Sequence, residues 1–309
     1  MIKISHLTKK YDVQKALDDI SLEVKKGEIV GFLGPNGAGK TTTMKILTGF
    51  ISPTSGEVQI DGINVQEDSL SVRKKIGYLP ENNPLYEDMT VREYLSFVSG
   101  MREVTDEKQQ EEIINTCGLS NVLEKNISEL SKGYRQRTGL ASALMHNPEI
   151  LILDEPTSGL DPNQIVEIRN LIKKIGEQKT VILSTHILPE VQATCDRVVI
   201  INEGKIAAVG TIEEIIQRAK GKEEIYAKVK GDEEKVKKVL SDIPAVATVT
   251  KAEEESAEIK GYKITAEEEK DLREEIFDAL VANGFKLLEL KRIRVSLEDV
   301  FRELTTKEI

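Results

Sequence analysis

Residues 28–50, EIVGFLGPNGAGKTTTMKILTGF, constrain the fold more than any other stretch of the chain. A short β-branched apolar run leads into glycines spaced so that Gly34, Gly39, Lys40 and Thr41 satisfy G-x-x-x-x-G-K-[ST], and an amphipathic segment follows. Read in that order, the segments are strand, loop and helix. Glycine lets a backbone curl until its N–H groups converge on phosphate oxygens, and the N-terminus of the following helix adds partial positive charge. Gly34, Pro35, Asn36, Gly37, Ala38, Gly39, Lys40, Thr41 and Thr42 are therefore expected to cradle a nucleotide's phosphates. Lys40 is placed to reach the β- and γ-phosphates, and the Thr41 hydroxyl to ligate Mg²⁺. The bland alternative is a turn that binds nothing, and the strand–loop–helix context argues against it.

A second run, ILILDE (150–155), supplies the partner chemistry. Four apolar residues make a buried strand that ends in two carboxylates. Asp154 is expected to hold Mg²⁺ directly or through water. Glu155 is expected to orient or deprotonate an attacking water. His186 closes another apolar run, TVILSTH (180–186). Ligands of open α/β sheets gather at the carboxyl edge of the strands, so His186 is read as a hydrogen-bonding partner of the γ-phosphate or the water. A single histidine is more often structural, and only this setting shifts the reading. Tyr11, in KKYD, reads equally as a ring stacked on adenine or as a surface tyrosine.

Composition excludes several classes of function. The chain has 309 residues, with 43 Lys and Arg against 53 Asp and Glu, a net charge of −10. Binding to nucleic acid draws on clustered positive charge, so no general nucleic-acid partner is expected. No apolar run approaches the roughly 20 residues that cross a bilayer, and MIKISHLTKKYD lacks the apolar core of a signal peptide. Cys117 and Cys195 have no metal-ligand spacing and read as reduced, buried thiols.

The texture divides the chain near residue 220. Before it, EIVGFLG, EILILDE, TVILSTH and DRVVIINEG read as buried strands of a largely parallel sheet. EVQIDGINV (57–65) alternates instead, as in an antiparallel layer, and roughly 85–147 reads as helical. From 221 to 309 the pattern is βαββαβ, the ferredoxin-like order, followed by the helix SLEDVFRELT with Ser296 as its N-cap. No catalytic constellation is visible in this tail. It reads as a ligand-sensing module, a dimer brace or a cap, with bracing favoured because such domains often pair edge to edge.

ELSKGYRQR (129–137) poses the remaining question: a turn with a hydroxyl, a glycine and two nearby arginines looks suited to an anion, yet a complete cradle already exists. Taken in order, GPNGAGKT, LSKGYRQR, ILILDEPTSGLD and STH resemble the ATP-binding subunit of an ABC transporter over about residues 1–220. The resemblance implies an α/β P-loop ATPase fold with a helical subdomain and an antiparallel β layer. It implies ATP as substrate with Mg²⁺, a homodimer or pseudo-symmetric dimer, and a separate polytopic permease. It also implies a place in the cytoplasm at the inner face of the membrane. In this family two subunits pack head to tail, and the signature loop of one closes on the ATP of the other. Ser131, Lys132, Gly133 and Tyr134 occupy that loop, with Lys132 and Tyr134 in place of the usual Gly and Gln. Ser158, Gly159, Leu160 and Asp161 occupy the loop that crosses to the partner. Glu81, in IGYLPENNPLY, stands where the family has glutamine; a carboxylate still ligates Mg²⁺ but adds negative charge beside the γ-phosphate.

The wording of GYLPENNPLYEDMTVREYL, LSKGYRQR and DPNQIVEIR is similar to exporters of drug, polysaccharide and gliding-motility systems, with the gliding-associated subunits of Bacteroidetes the nearest resemblance. Leu85, Tyr86, Tyr94, Leu95 and Phe97 are read as a seat for a short permease helix, most of them in the core and one or two at the surface. A soluble ABC ATPase acting on ribosomes or nucleic acid is the alternative, disfavoured by the single ATPase domain and the acidic balance. A DNA-organising ATPase needs a long coiled coil between the phosphate loop and the signature, and about ninety residues leave no room for it. A sugar importer's tail is usually barrel-like, unlike this one.

Overall fold

A computed structural model of the chain describes residues 2–219, 224–256, 258–267, 271–293 and 296–306. It falls into two units, 1–215 with 301–309, and 216–300.

The first unit is built on a six-stranded sheet in the spatial order Lys205–Gly210, Arg197–Asn202, Ile29–Leu33, Thr180–Thr185, Ile150–Asp154, Ile76–Leu79. All neighbours pair in parallel except the edge strand Lys205–Gly210. Every residue of Ile29–Leu33, Ile150–Asp154 and Thr180–Thr185 is buried. That is why these strands read as unbroken apolar runs: a parallel sheet covered on both faces has no polar side to alternate with. On one face lies the antiparallel layer Gln14–Val24, Ile2–Tyr11, Ser55–Ile60, Ile63–Asn64, whose Ile2, Leu7, Leu17, Ile20, Val58 and Ile60 share a core with Phe32, Ile152 and Ile182. The expected antiparallel alternation in 57–65 is present there. A second core joins the sheet's Leu151, Leu153, Val181 and Leu183 to the helices Val91–Met101, Lys132–Leu144 and Pro162–Gly176. No helix among the described residues is long and apolar enough to cross a membrane.

The second unit runs Glu224–Lys230, helix Glu233–Ser241, Val246–Ser256, Ile259–Ala266, helix Arg273–Ala282, Lys286–Ile293. Its antiparallel sheet has the second strand at one edge, then the third, the first and the fourth, so the ferredoxin-like order expected from sequence is the order found. Ile225, Ala227, Val229, Tyr262 and Ile264 bury one sheet face against Val236, Leu240, Ile276 and Leu280 of the two helices. Ser296 caps the last helix, Leu297–Thr305, its hydroxyl accepting from the Asp299 amide at 3.2 Å while Asp299 accepts from the Ser296 amide at 3.0 Å. The end of that helix belongs with the first unit, where Asn202 Nδ2 donates to the Leu304 carbonyl at 3.2 Å.

One packing detail controls the edge strand Ile76–Leu79. A Cβ at Gly77 would lie 2.2 Å from the Ala143 carbonyl oxygen, so only glycine lets this strand approach the Lys132–Leu144 helix. Just beyond that helix, His146 Nε2 donates to the Ile76 carbonyl at 3.0 Å, while its buried Nδ1 has no hydrogen-bond partner among the described residues. Burial first, then the charges of Arg102 and Lys179, push the imidazole down to about 4, against the opposing pull of the Ile76 carbonyl. The unfolded chain binds this proton near pH 6.5 and the folded chain only near pH 4, so acidification across that window favours unfolding. Urea midpoints are expected to fall steadily from pH 7 to pH 4. His146→Gln, which keeps a donor for Ile76, is expected to flatten that slope.

Candidate nucleotide site

The carboxyl ends of Ile29–Leu33, Ile150–Asp154 and Thr180–Thr185 deliver the three signals read from sequence to one place. A cleft of about 390 Å³ is lined there by Asn36, Gly37, Gly39, Lys40, Thr41 and Thr42 from the loop and helix start. Glu81, Glu155, Ser158, His186 and Ala16 complete its wall.

The loop's glycines are needed for two different reasons. At Gly34 a Cβ would sit 2.3 Å from the Ile201 carbonyl oxygen of the neighbouring strand, so the constraint is close approach. Gly39 caps the helix Lys40–Leu47 with φ +111°, where a Cβ would also meet the Ala16 carbonyl at 2.7 Å; this is conformation that L side chains avoid. Lys40 is buried, and its ammonium donates to the carbonyls of Gly34 at 2.8 Å and Pro35 at 3.2 Å, with Glu155 Oε1 at 3.4 Å.

Asp154 is 1% exposed, and its Oδ1 accepts from Ser184 Oγ at 2.5 Å and from Thr41 Oγ1 at 3.2 Å. A hydroxyl and a carboxylate meeting at the cleft form a hard oxygen donor set, the chemistry Mg²⁺ prefers. Glu155 stands at φ +47°, a left-handed backbone that strains a non-glycine residue. Two hydrogen bonds hold it there, its amide donating to the Ser184 carbonyl at 3.1 Å and to Ser184 Oγ at 3.0 Å. The bend turns its buried carboxylate back over the cleft, where Oε2 meets His186 Nδ1 at 3.0 Å. His186 itself is half exposed.

The structure thus brings Lys40, Thr41, Asp154, Glu155 and His186 together, with Glu81 on the rim. Tyr11 is not among the residues lining the cleft; it is half exposed, and the Lys9 ammonium lies 5.1 Å over its ring. Nor does any residue of 131–134 line it. Ser131 is the N-cap of the Lys132–Leu144 helix, its hydroxyl facing the Tyr134 amide at 3.4 Å. This loop packs instead on the 158–164 segment of its own chain: the Lys132 ammonium covers Gly159, at φ +68°, and the Gln164 side chain abuts Gly133. Tyr134 is about one-third exposed. Ser158 faces the cleft, Leu160 packs into the helical core, and Asp161 caps Pro162–Gly176 by accepting from the amides of Asn163 and Gln164 at 3.0 and 2.9 Å.

Arg135 and Arg137, grouped in the sequence reading with a second anion site, are spoken for within the chain. Arg135 donates to the carbonyls of Leu130 and Ser128, and Arg137 to the Cys117 carbonyl at 2.9 Å and to Glu167 at 2.7 Å. Of the five residues read as a docking seat, Tyr94 and Leu95 are buried and Leu85 partly so. Tyr86 and Phe97 remain at the surface, edge to face at 5.6 Å. Two residues beyond Glu81, Asn83 Nδ2 reaches the Arg135 carbonyl at 3.4 Å and lies where a Cβ on Gly139 would be.

Three participants escaped the sequence reading. Ala16 lines the cleft from the Gln14–Val24 strand. Ser184 faces Asp154 because the two residues are register partners on adjacent parallel strands. Glu190 is buried and accepts from the hydroxyls of Thr157 and Thr185. Sequence spacing carries none of these neighbourhoods; the register of adjacent strands does.

Comparison with known proteins gives consistent results. A family model described as ABC transporter matches residues 17–158. The bacitracin transport ATP-binding protein BcrA of Bacillus licheniformis is 42% identical over 208 residues, 67% of this chain and 68% of that protein. The ABC transporter ATP-binding protein YhcH of Bacillus subtilis (strain 168) is 33% identical over 313 residues, 100% of this chain and 97% of that one. A dimeric structure of a post-hydrolysis state of the ATP-binding cassette MJ0796, bound to ADP and Pi, superposes with a TM-score of 0.60 at 29% identity, covering 68% of this chain and 98% of that one.

The close approach at Gly34 yields a direct test. Gly34→Ala is expected to cost about 1–3 kcal/mol of stability, because a methyl group must displace the backbone of the adjacent strand. Urea unfolding reads that loss, and nucleotide titration of the folded fraction is expected to show weakened binding.

Proposed function

The chain belongs to the family of ABC transporter ATP-binding proteins, and from that premise we propose that it works as one half of a paired motor, closing with a second ATPase subunit around two ATP molecules to drive a separate membrane permease of an export system. It is an ATPase of the P-loop type. The observation that carries the pairing is the one-sided cleft. The phosphate loop, Glu155 and His186 line the cleft, with Asp154 buried behind Thr41, while residues 131–134, on a helix N-terminus, lie outside it. In the pair, Ser131 and Gly133 of one copy contact the γ-phosphate bound by the other, and 158–161 lies along the seam. A contact made only when the γ-phosphate is present converts nucleotide state into closure. The dimeric form of the MJ0796 cassette supports this reading.

Within each site the residues divide the work. Loop amides and the start of the Lys40–Leu47 helix hold the phosphates, and Lys40 exchanges backbone carbonyls for phosphate oxygens as it binds them. Thr41 and Asp154, joined by Glu81 at the rim, would hold Mg²⁺, and the positive charge it would supply there would offset the negative charge of the phosphates. Glu155 accepts a hydrogen bond from the attacking water and aligns it on phosphorus, and His186, bonded to the same carboxylate, steadies water and γ-phosphate. Tyr11, half exposed and outside the lining of the cleft, keeps both readings, a ring that stacks on adenine in the loaded site or a surface tyrosine. The exposed pair Tyr86 and Phe97 seats a short helix of the permease, which places the subunit at the inner face of the membrane. Similarity to a bacitracin transport protein supports the export class; a gliding-associated role rests on motif wording alone.

Two variants separate binding from chemistry. Glu155→Gln is expected to lower kcat by about 10²–10⁴-fold while sparing ATP affinity, and to accumulate an ATP-dependent dimer in size-exclusion chromatography. Lys40→Ala is expected to weaken binding and hydrolysis together. An enzyme that stays monomeric with ATP yet turns over fully, with Ser131 dispensable, would exclude the paired motor.

The carboxylate at position 81 generates a further expectation. Glu81→Gln removes one negative charge beside the γ-phosphate and is expected to shift the Mg²⁺ concentration that half-saturates ATP hydrolysis; an unchanged Mg²⁺ curve would show that the charge plays no part.

A further inference from the structure

We propose that Glu190 is a positioning residue for ATP hydrolysis, acting through His186; the inference rests on the role given to His186 above. Glu190 lies in the first turn of the helix Leu188–Thr194 and is 5% exposed, outside the lining of the cleft. A buried carboxylate is costly unless its oxygens are hydrogen-bonded. Both of its oxygens are taken by hydroxyls: Oε1 accepts from Thr157 Oγ1 at 2.5 Å, and Oε2 from Thr185 Oγ1 at 2.8 Å. Thr185 Oγ1 accepts in turn from the Ile187 amide at 3.1 Å. The Thr185 hydroxyl therefore pins the backbone on both sides of His186, and Glu190 fixes the direction of that hydroxyl.

The other arm of Glu190 reaches the neighbouring strand's loop. Thr157 follows Glu155 by two residues and precedes Ser158, which lines the cleft. The carboxylate therefore clamps two loops that leave adjacent parallel strands, one bearing Glu155 and the other His186. It sets the distance across which Glu155 Oε2 and His186 Nδ1 meet, now 3.0 Å. A carboxylate suits this place because both hydroxyls must donate. A glutamine of the same size offers one acceptor and one amide donor, which leaves one threonine hydrogen without a partner in a dry site.

The test is a double-mutant cycle of Glu190→Gln and His186→Ala, read by steady-state ATP hydrolysis with Mg²⁺. Glu190→Gln is expected to lower kcat roughly tenfold to a hundredfold, because a small displacement of a positioned group has effects of that order. The KM for ATP is expected to stay within about twofold. In the His186→Ala background the second substitution is expected to add nothing, since groups acting through one another do not contribute independently. Slow His186→Ala with normal Glu190→Gln overturns this proposal alone, as does a loss that multiplies across the cycle. Normal turnover in His186→Ala overturns the His186 reading and this proposal with it. Should Glu190→Gln not fold, Thr185→Val removes the same link at constant volume, and the same outcomes decide.

Discussion

The tie between Asp154 and Ser184 is the interaction on which the site depends. It joins two parallel strands at the height where both end, and it does so with a buried charge. The same serine, through its hydroxyl and its carbonyl, holds the Glu155 amide and so sustains a left-handed bend that would otherwise relax. Thr41 meets the same Asp154 oxygen from the helix that begins at the phosphate loop. One oxygen thus registers three elements against one another: two strand ends and a helix start. The catalytic geometry is a consequence of that registration rather than of any single motif.

The parts legible in sequence were those whose chemistry is local. Glycine spacing around Lys40, carboxylates ending an apolar run, and the strand and helix textures of the tail all arise from neighbours along the chain, and they placed the phosphate loop, the strand ends and the ferredoxin-like order. Features set by distant contacts stayed hidden. Ser184 is one polar residue in a strand until register places it beside Asp154. The four-residue strand Ile76–Leu79 is too short for a periodic signal and owes its place to a glycine against a helix. The hairpin Ile2–Tyr11 with Gln14–Val24 slips register three times, and His6 and Asp19 take left-handed backbone, so its alternation is broken. Arg135 and Arg137 looked like anion ligands because nothing in the sequence shows that carbonyls and a glutamate already satisfy them.

Lys132 and Tyr134, which depart from the family wording that the sequence resembles, fit their surroundings in the structure. Lys132 extends along Gly159, a residue of left-handed backbone with no side chain of its own, so a long cation fits where the loop is bare. Tyr134 lies at the surface of its helix. Ser131 caps the helix and Gly133 packs against Gln164. The loop is held by the Ser131 cap, by Gly133 against Gln164 and by Lys132 along Gly159.

The amide of Asn83 fills the hollow left by Gly139, and this makes two distant parts of the first unit a single mechanical piece. Glu81 stands two residues to one side of that lock, at the rim of the cleft. Ser131 stands eight residues to the other, about 12 Å along a helix that rises 1.5 Å per residue. The Lys132–Leu144 helix is pinned by this contact near its middle, which fixes the place of the Glu81 loop against it. The rim of the cleft and the cap of that helix are thus tied through one asparagine side chain and the absence of a methyl group.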